Sequence, residues 1–147
     1  MKKIKIYLDN CCFNRPYDDQ TYLLTRLETE AKLLIQEEIT NGNIDLVWSF
    51  ILHFENNDNP YIDKKEQIAL WEMKASEIVT FDENILQKSK ELIKLNIREK
   101  DALHLACAMR AKADCFITTD KKILNKNLKN PDILNPIDFV RRYYCET

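Results

Sequence analysis

Apolar and polar residues alternate over residues 4–9, IKIYLD, and the apolar members are β-branched or aromatic. A period of two with that composition predicts a strand. The pattern stops at residues 10–19, NCCFNRPYDD, where Asn, Arg, Pro and paired Asp predict a loop. From Tyr22 to Ile39 the spacing changes to three and four. Leu23, Leu24, Leu27, Ala31, Leu34, Ile35 and Ile39 then share one face of a long amphipathic helix. Asn41-Gly42-Asn43 predicts its end, because Gly42, the only glycine of the chain, stands where a helix C-cap wants a left-handed residue.

The same two periods alternate along the rest of the chain. IDLVW, 44–48, predicts a second strand. Ser49 is placed to cap a short helix through Ile51, Leu52 and Phe54 that Asn59-Pro60 ends. Residues 61–75 predict a helix carrying Ile62, Ile68, Ala69, Leu70 and Trp71. EIVTF, 77–81, predicts a third strand, and Asp82 or Asn84 opens a helix through Ile85, Leu86, Leu92 and Ile93. Residues 98–112 predict a helix with Ala102, Leu105, Ala106 and Met109 on one face. CFITT, 115–119, predicts a fourth strand, followed by a short helix in KKILNKNL, a short fifth strand at 132–134 and a last helix in IDFVRRYY. Strands alternating with helices predict an α/β fold: a parallel sheet of four or five strands with helices on both faces, in a single domain over 1–147.

Composition fits this picture. The chain has 147 residues, 45% apolar and 31% charged, which describes a globular domain. No apolar run approaches the roughly 20 residues of a membrane span, and the start has no apolar stretch of signal-peptide length; the expected location is cytoplasmic, with no membrane partner. The five cysteines are an odd number without a C-x-x-C pair, so free thiols are expected, with Cys107 and Cys115 as small apolar filler. Cys11 and Cys12 are expected to pack within the 10–19 loop. The net charge of −2 does not by itself suggest nucleic acid. Four acids gathered around a cation would leave the rest of the chain basic.

Those acids carry the candidate chemistry. Asp9 closes the first strand, Glu55 follows the second on its short helix, and Asp120 closes the fourth. In a parallel sheet these positions share one edge, where ligands bind. Asp101, in the first turn of the 98–112 helix, leads into the fourth strand, so the strand argument leaves open which edge it joins. Converging carboxylates need a counter-charge, and hard oxygen ligands select Mg²⁺ or Mn²⁺. Such an ion suits in-line displacement at phosphate. Glu37 and Glu38 on the long helix compete with Glu55.

LDN, a helix-borne Glu after the second strand, KDALHLACA and ITTDKKIL, in that order, resemble a PIN-domain ribonuclease over nearly the whole chain. DALHLA and TTDKKIL are the most specific parts. The resemblance implies a metal-dependent nuclease acting on RNA, with Asp9, Glu55, Asp101 and Asp120 as catalytic metal ligands. It also implies kinship with VapC-like toxins of toxin–antitoxin modules, hence an antitoxin partner; a homodimer is a further expectation. Asn10, Thr119 and His104 are candidate supports of the acids, with Thr118 the alternative hydroxyl to Thr119. Arg15, Lys121 and Lys122, with Lys126 and Lys129 nearby, are candidate substrate contacts. Two rival readings remain: a binding module that keeps the fold without turnover, and a haloacid-dehalogenase-like phosphatase, which would want an acid where Cys11 stands.

Overall fold

The computed structural model describes residues 3–126 and 128–144. Five strands form one sheet in the order β3-β2-β1-β4-β5, with every pairing parallel. They are β1 (Ile4–Leu8), β2 (Ile44–Ser49), β3 (Glu77–Val79), β4 (Cys115–Ile117) and β5 (Asp132–Leu134). The helices are α1 (Asn10–Asn14), α2 (Leu23–Thr40), α3 (Phe50–Asn57), α4 (Ile62–Lys74), α5 (Glu83–Ile93), α6 (Glu99–Arg110), α7 (Lys121–Leu124) and α8 (Pro136–Tyr144). The chain builds outward from β1 to β3, then crosses back over β1 to lay down β4 and β5. The direction of building reverses between β1 and β4, and a crevice opens at the C-terminal ends of strands at such a reversal.

Strand alternation divides the core. Tyr7 stacks on Phe116 of β4 and meets His104 of α6 edge-on, so its face of β1 looks toward α6. Trp48 meets Phe13 of α1 on the other face, where Lys32 of α2 lies 5.6 Å over the Phe13 ring. Helices thus cover both faces. Tyr7, Phe13, Trp48 and Phe116 are fully or almost fully buried; large side chains buried this way contribute roughly 1.5–3 kcal/mol each.

Three expectations change. Residues 10–19 are not a plain loop: Asn10–Asn14 is a helix, and Arg15–Tyr17 a 3₁₀ turn. The Asp9 carboxylate caps α1, and Cys12 and Phe13 are buried beneath it, an anchor hidden among polar neighbours. The third and fourth strands are shorter than 77–81 and 115–119, ending at Val79 and Ile117, with Thr118 N–H still donating to Leu134 O at 3.0 Å. Along α2, Leu23, Leu24 and Leu27 are exposed, whereas Glu28, Thr29, Lys32 and Gln36 are buried. The start of α2 faces the Arg15 turn, where Arg15 pairs with Glu28 at 3.3 Å. Burial, only partly offset by Cys12, lowers the Lys32 pKa to about 8.

The end of α2 is as expected. Gly42 has φ +80°; its N–H donates to Ile39 O, and Asn43 N–H donates to Glu38 O, closing the paired bonds of a Schellman motif. A Cβ on Gly42 would meet nothing within 4 Å, so only the backbone conformation opposes a side chain there. Gly42→Ala is expected to lower unfolding free energy by about 1 kcal/mol in urea titration. No loss would mean that the left-handed turn relaxes at no cost.

Candidate active site

Asp9 is fixed first by the sheet. Its N–H donates to Ile117 O at 2.9 Å, extending the β1–β4 pairing one step past β1. Its Oδ1 accepts from Asn10 N at 2.8 Å and its Oδ2 from the Thr118 hydroxyl at 2.9 Å. The same Thr118 oxygen accepts from Asp120 N at 3.1 Å. One hydroxyl at the end of β4 therefore ties together the acids that follow two neighbouring strands. Asp120 opens α7, its Oδ1 accepting from Lys122 N at 2.9 Å.

Asp101 joins this edge because α5 and α6 form a hairpin. Arg110 at the end of α6 pairs with Asp82 at the start of α5, and the turn between them passes through Asn96 at φ 66°. Helix α6 ends beside the start of β1, where Lys5 Nζ donates to Ala111 O at 3.0 Å, and so begins at the strand C-termini. There Arg98 donates through Nε to Asp101 at 3.2 Å and through Nη2 to Asp120 at 2.9 Å. Burial raises the Asp101 pKa; the charges of Asp9 and Asp120 push the same way, against the opposing pull of Arg98.

Glu55 is held from the other side. His104, 1% exposed, donates through Nε2 to Glu55 Oε1, and the same nitrogen lies 3.7 Å from Asp9 Oδ1. Its Nδ1 bonds the Tyr7 hydroxyl at 2.6 Å, and that hydroxyl bonds Ser49 Oγ at 2.6 Å. Ser49 Oγ also accepts from Leu52 N, capping α3, the helix that carries Glu55. A carboxylate only accepts, so Nε2 carries a proton. Burial opposes the imidazolium form, but the bond to Glu55 and the charges of Asp9, Glu55 and Asp101 outweigh it, and the His104 pKa is raised. Burial pushes the Tyr7 hydroxyl well above its ordinary value, so it stays neutral.

All four sequence-predicted acids therefore stand at one edge, around the side chains of Arg98 and His104. The bond from Asn10 to Asp9 comes from its backbone N–H, and its side-chain Oδ1 is buried without a partner. Thr118, rather than Thr119, supplies the hydroxyl; the Thr119 N–H goes to Cys11 Sγ at 3.4 Å. Cys11 packs against the core as expected, from α1 and not from a loop, and its Sγ also lies 3.6 Å from Asp9 Oδ2 and 3.5 Å from Thr118 Oγ1. Arg15 is placed elsewhere, paired with Asp18 at 3.0 Å and with Glu28. Lys121 and Lys122 are exposed directly after Asp120. Glu37 is exposed, and Glu38 bonds Asn43 and Tyr144, so neither belongs to the cluster. Sequence reasoning placed Ser49 correctly as the cap of α3 but missed Tyr7 and its bond to Ser49. A hydroxyl-bearing side chain inside an otherwise apolar strand was the available signal for Tyr7. Arg98, three residues before Asp101, had the helix spacing of an ion pair.

Among the described residues no three His, Cys, Asp or Glu side chains are already drawn into a cation cage. Arg98 and His104 engage the carboxylates instead. The donor set nevertheless fits a hard divalent cation in kind: oxygen ligands, excess negative charge and partial burial.

A family model for the PIN domain matches residues 7–128. The chain belongs to the PIN-domain family. The solved structure of VapBC2 from Rickettsia felis bound to a DNA fragment from its promoter is similar to this PIN domain, with 17% identity and a TM-score of 0.52. The match covers 90% of this chain and 98% of that one, and at this identity it shows a shared fold. No curated protein matches in sequence. Among the described residues no helix of the PIN domain is long and apolar enough to cross a membrane.

Tyr7→Phe tests the buried relay. It removes one hydroxyl and leaves Ser49 Oγ and His104 Nδ1 short of a partner. The expected loss is roughly 2–3 kcal/mol in denaturant titration, more than an ordinary surface change. Wild-type stability in this variant would show that the relay is not tightly coupled.

Proposed function

We propose that this PIN domain is a divalent-metal-dependent endoribonuclease that hydrolyses RNA phosphodiester bonds, and the toxin of a toxin–antitoxin pair. The convergence of Asp9, Glu55, Asp101 and Asp120 at the strand C-termini carries the reading. Asp9, Asp101 and Asp120 would hold Mg²⁺ or Mn²⁺, with Glu55 completing the set. When bound, the ion supplies positive charge for the phosphate in the transition state and acidifies water. Thr118 fixes the direction of the Asp9 carboxylate, and His104 orients Glu55. Arg98, 65% exposed at its side chain, is free to turn from the acids toward a phosphate. Lys121 and Lys122 supply further positive charge beside Asp120.

The family match sets aside the phosphatase alternative. The module without turnover would bind RNA and leave it uncut. The VapBC2 likeness supports an antitoxin partner, and exposed Tyr22, just before α2, with Leu23, Leu24 and Leu27 on α2 offers apolar surface to it. A homodimer belongs to the same reading, and sedimentation of the chain alone and with its antitoxin measures both. The free thiols of Cys11, Cys12, Cys107 and Cys115 accord with a cytoplasmic location.

Wild-type protein is expected to cut a mixed RNA pool with Mg²⁺ or Mn²⁺ and to stop on chelation. Asp9→Asn, Asp101→Asn and Asp120→Asn should each lower the rate at least about 100-fold and still fold, since each removes one repelling charge. RNA binding by wild type without cleavage in either ion would sink the enzyme reading and favour the module.

Arg98 gives a second, independent measurement. It neutralises Asp101 and Asp120 where the cation would, so the two compete. Arg98→Met is expected to tighten Mn²⁺ binding by about three- to tenfold in calorimetry without RNA. Unchanged affinity would show that Arg98 and the ion do not share the acids.

A further inference from the structure

Beside the acids lies a second cleft, of about 370 Å³, whose wall includes Asn10 and Glu55. It is continuous with the carboxylate cluster through those two residues. Tyr17, from the turn after α1, and Tyr61, just before α4, stand on it with 40% and 61% of their surface exposed. Lys64 Nζ lies 5.3 Å from the Tyr17 ring centroid and 4.2 Å from that of Tyr61. One ammonium within reach of both rings puts the rings around a single gap. Neither ring belongs to the buried core, and neither takes part in the relay that holds the acids.

The polar lining is rich in acceptors. Asn56 is buried, and its Nδ2 donates to Lys65 O at 2.9 Å, so its Oδ1 is defined as the free end; that oxygen has no partner. Asn10 Oδ1 is likewise buried and unpartnered. Asp18 and Asp58 add carboxylates to the lining. Such a wall repels phosphate but suits the N–H groups of a base edge. The aromatic faces suit the base plane, and base–aromatic stacking is the usual way that single strands are held.

We propose that this cleft is a nucleobase subsite for single-stranded RNA, with Tyr17 and Tyr61 as stacking faces and a preference for bases that carry an exocyclic amine. Lys64 occupies the gap in the free protein and turns to the adjoining phosphate when a base enters. A nucleotide seated there places its neighbouring phosphodiester toward Glu55 and the other acids. The substrate class rests on the ribonuclease reading above, but the subsite itself requires only RNA binding.

The test is fluorescence polarisation of labelled single-stranded 12-mers of A, C and U with the full chain, at low salt in EDTA so that nothing is cut. Wild type is expected to bind oligo(A) and oligo(C) more tightly than oligo(U). Tyr17→Leu and Tyr61→Leu should each weaken oligo(A) binding about tenfold. Tyr17→Phe and Tyr61→Phe should restore it, which a role for the hydroxyls would not allow. Because both rings are exposed, thermal midpoints should stay at the wild-type value. The proposal is overturned by Leu variants that bind like wild type, by oligo(U) binding as well as the other two, or by no binding of any strand. If Leu variants lose binding but wild type never cleaves RNA with metal, the subsite stands and the nuclease reading falls. If wild type cleaves and the Leu variants bind and cut as it does, the nuclease reading stands and the subsite falls.

Discussion

Repulsion among four carboxylates at one sheet edge is the constraint around which this PIN domain is organised. Like charges brought together out of bulk water raise one another's pKa and favour unfolding unless something answers them. Asp101 records that pressure, its pKa raised by burial and by Asp9 and Asp120. The answer comes from two donors of different character, a guanidinium and an imidazole. His104 is buried and bonded at both ring nitrogens, so breaking its contacts strands polar groups away from water. Arg98 is largely exposed, and an exposed ion pair contributes little.

That difference assigns the two sides of the site different freedoms. Glu55 is anchored through His104, Tyr7 and Ser49 to β1, β2 and the first turn of α3. Asp101 and the outer oxygen of Asp120 are engaged by Arg98, a side chain that solvent can replace, while Asp120 Oδ1 caps α7. The half of the cluster nearest the core is thus set by folding, and the outer half is open to an incoming cation. On the proposed metal-dependent reading, an arrangement of this kind would keep the metal-free protein stable without closing the site to a cation.

Much of this was legible in the sequence where period and position coincide. The strand IKIYLD, the α2 periodicity with its glycine stop, and acids directly after strands follow from local rules. The direction of α6 did not. Placing Asp101 at the right edge requires knowing that α5 returns to it, which is a property of the α5–α6 hairpin and not of any one segment. The burial of Glu28, Lys32 and Gln36 was also illegible. It depends on Arg15, Phe13 and Cys12 coming from a segment that composition describes as a loop. Tertiary partners decided which side of α2 turned inward, and they left Leu23, Leu24 and Leu27 outside.

The choice between Thr118 and Thr119 could have been made from parity. Tyr7 and Phe116 are register partners, and their rings stack on the α6 side of the sheet. Side chains two residues on share a face, so Asp9 and Thr118 extend that side, and Thr119 points away. The same count places Asp9, Thr118 and Tyr7 toward His104, while Ile6 and Leu8 take the other face. A slip of one residue in β1 against β4 would send Asp9 to that opposite face and strip it of both Thr118 and His104. The register of two central strands, enforced by buried Tyr7 and Phe116, is therefore what turns an acid at the end of a strand into a member of the site.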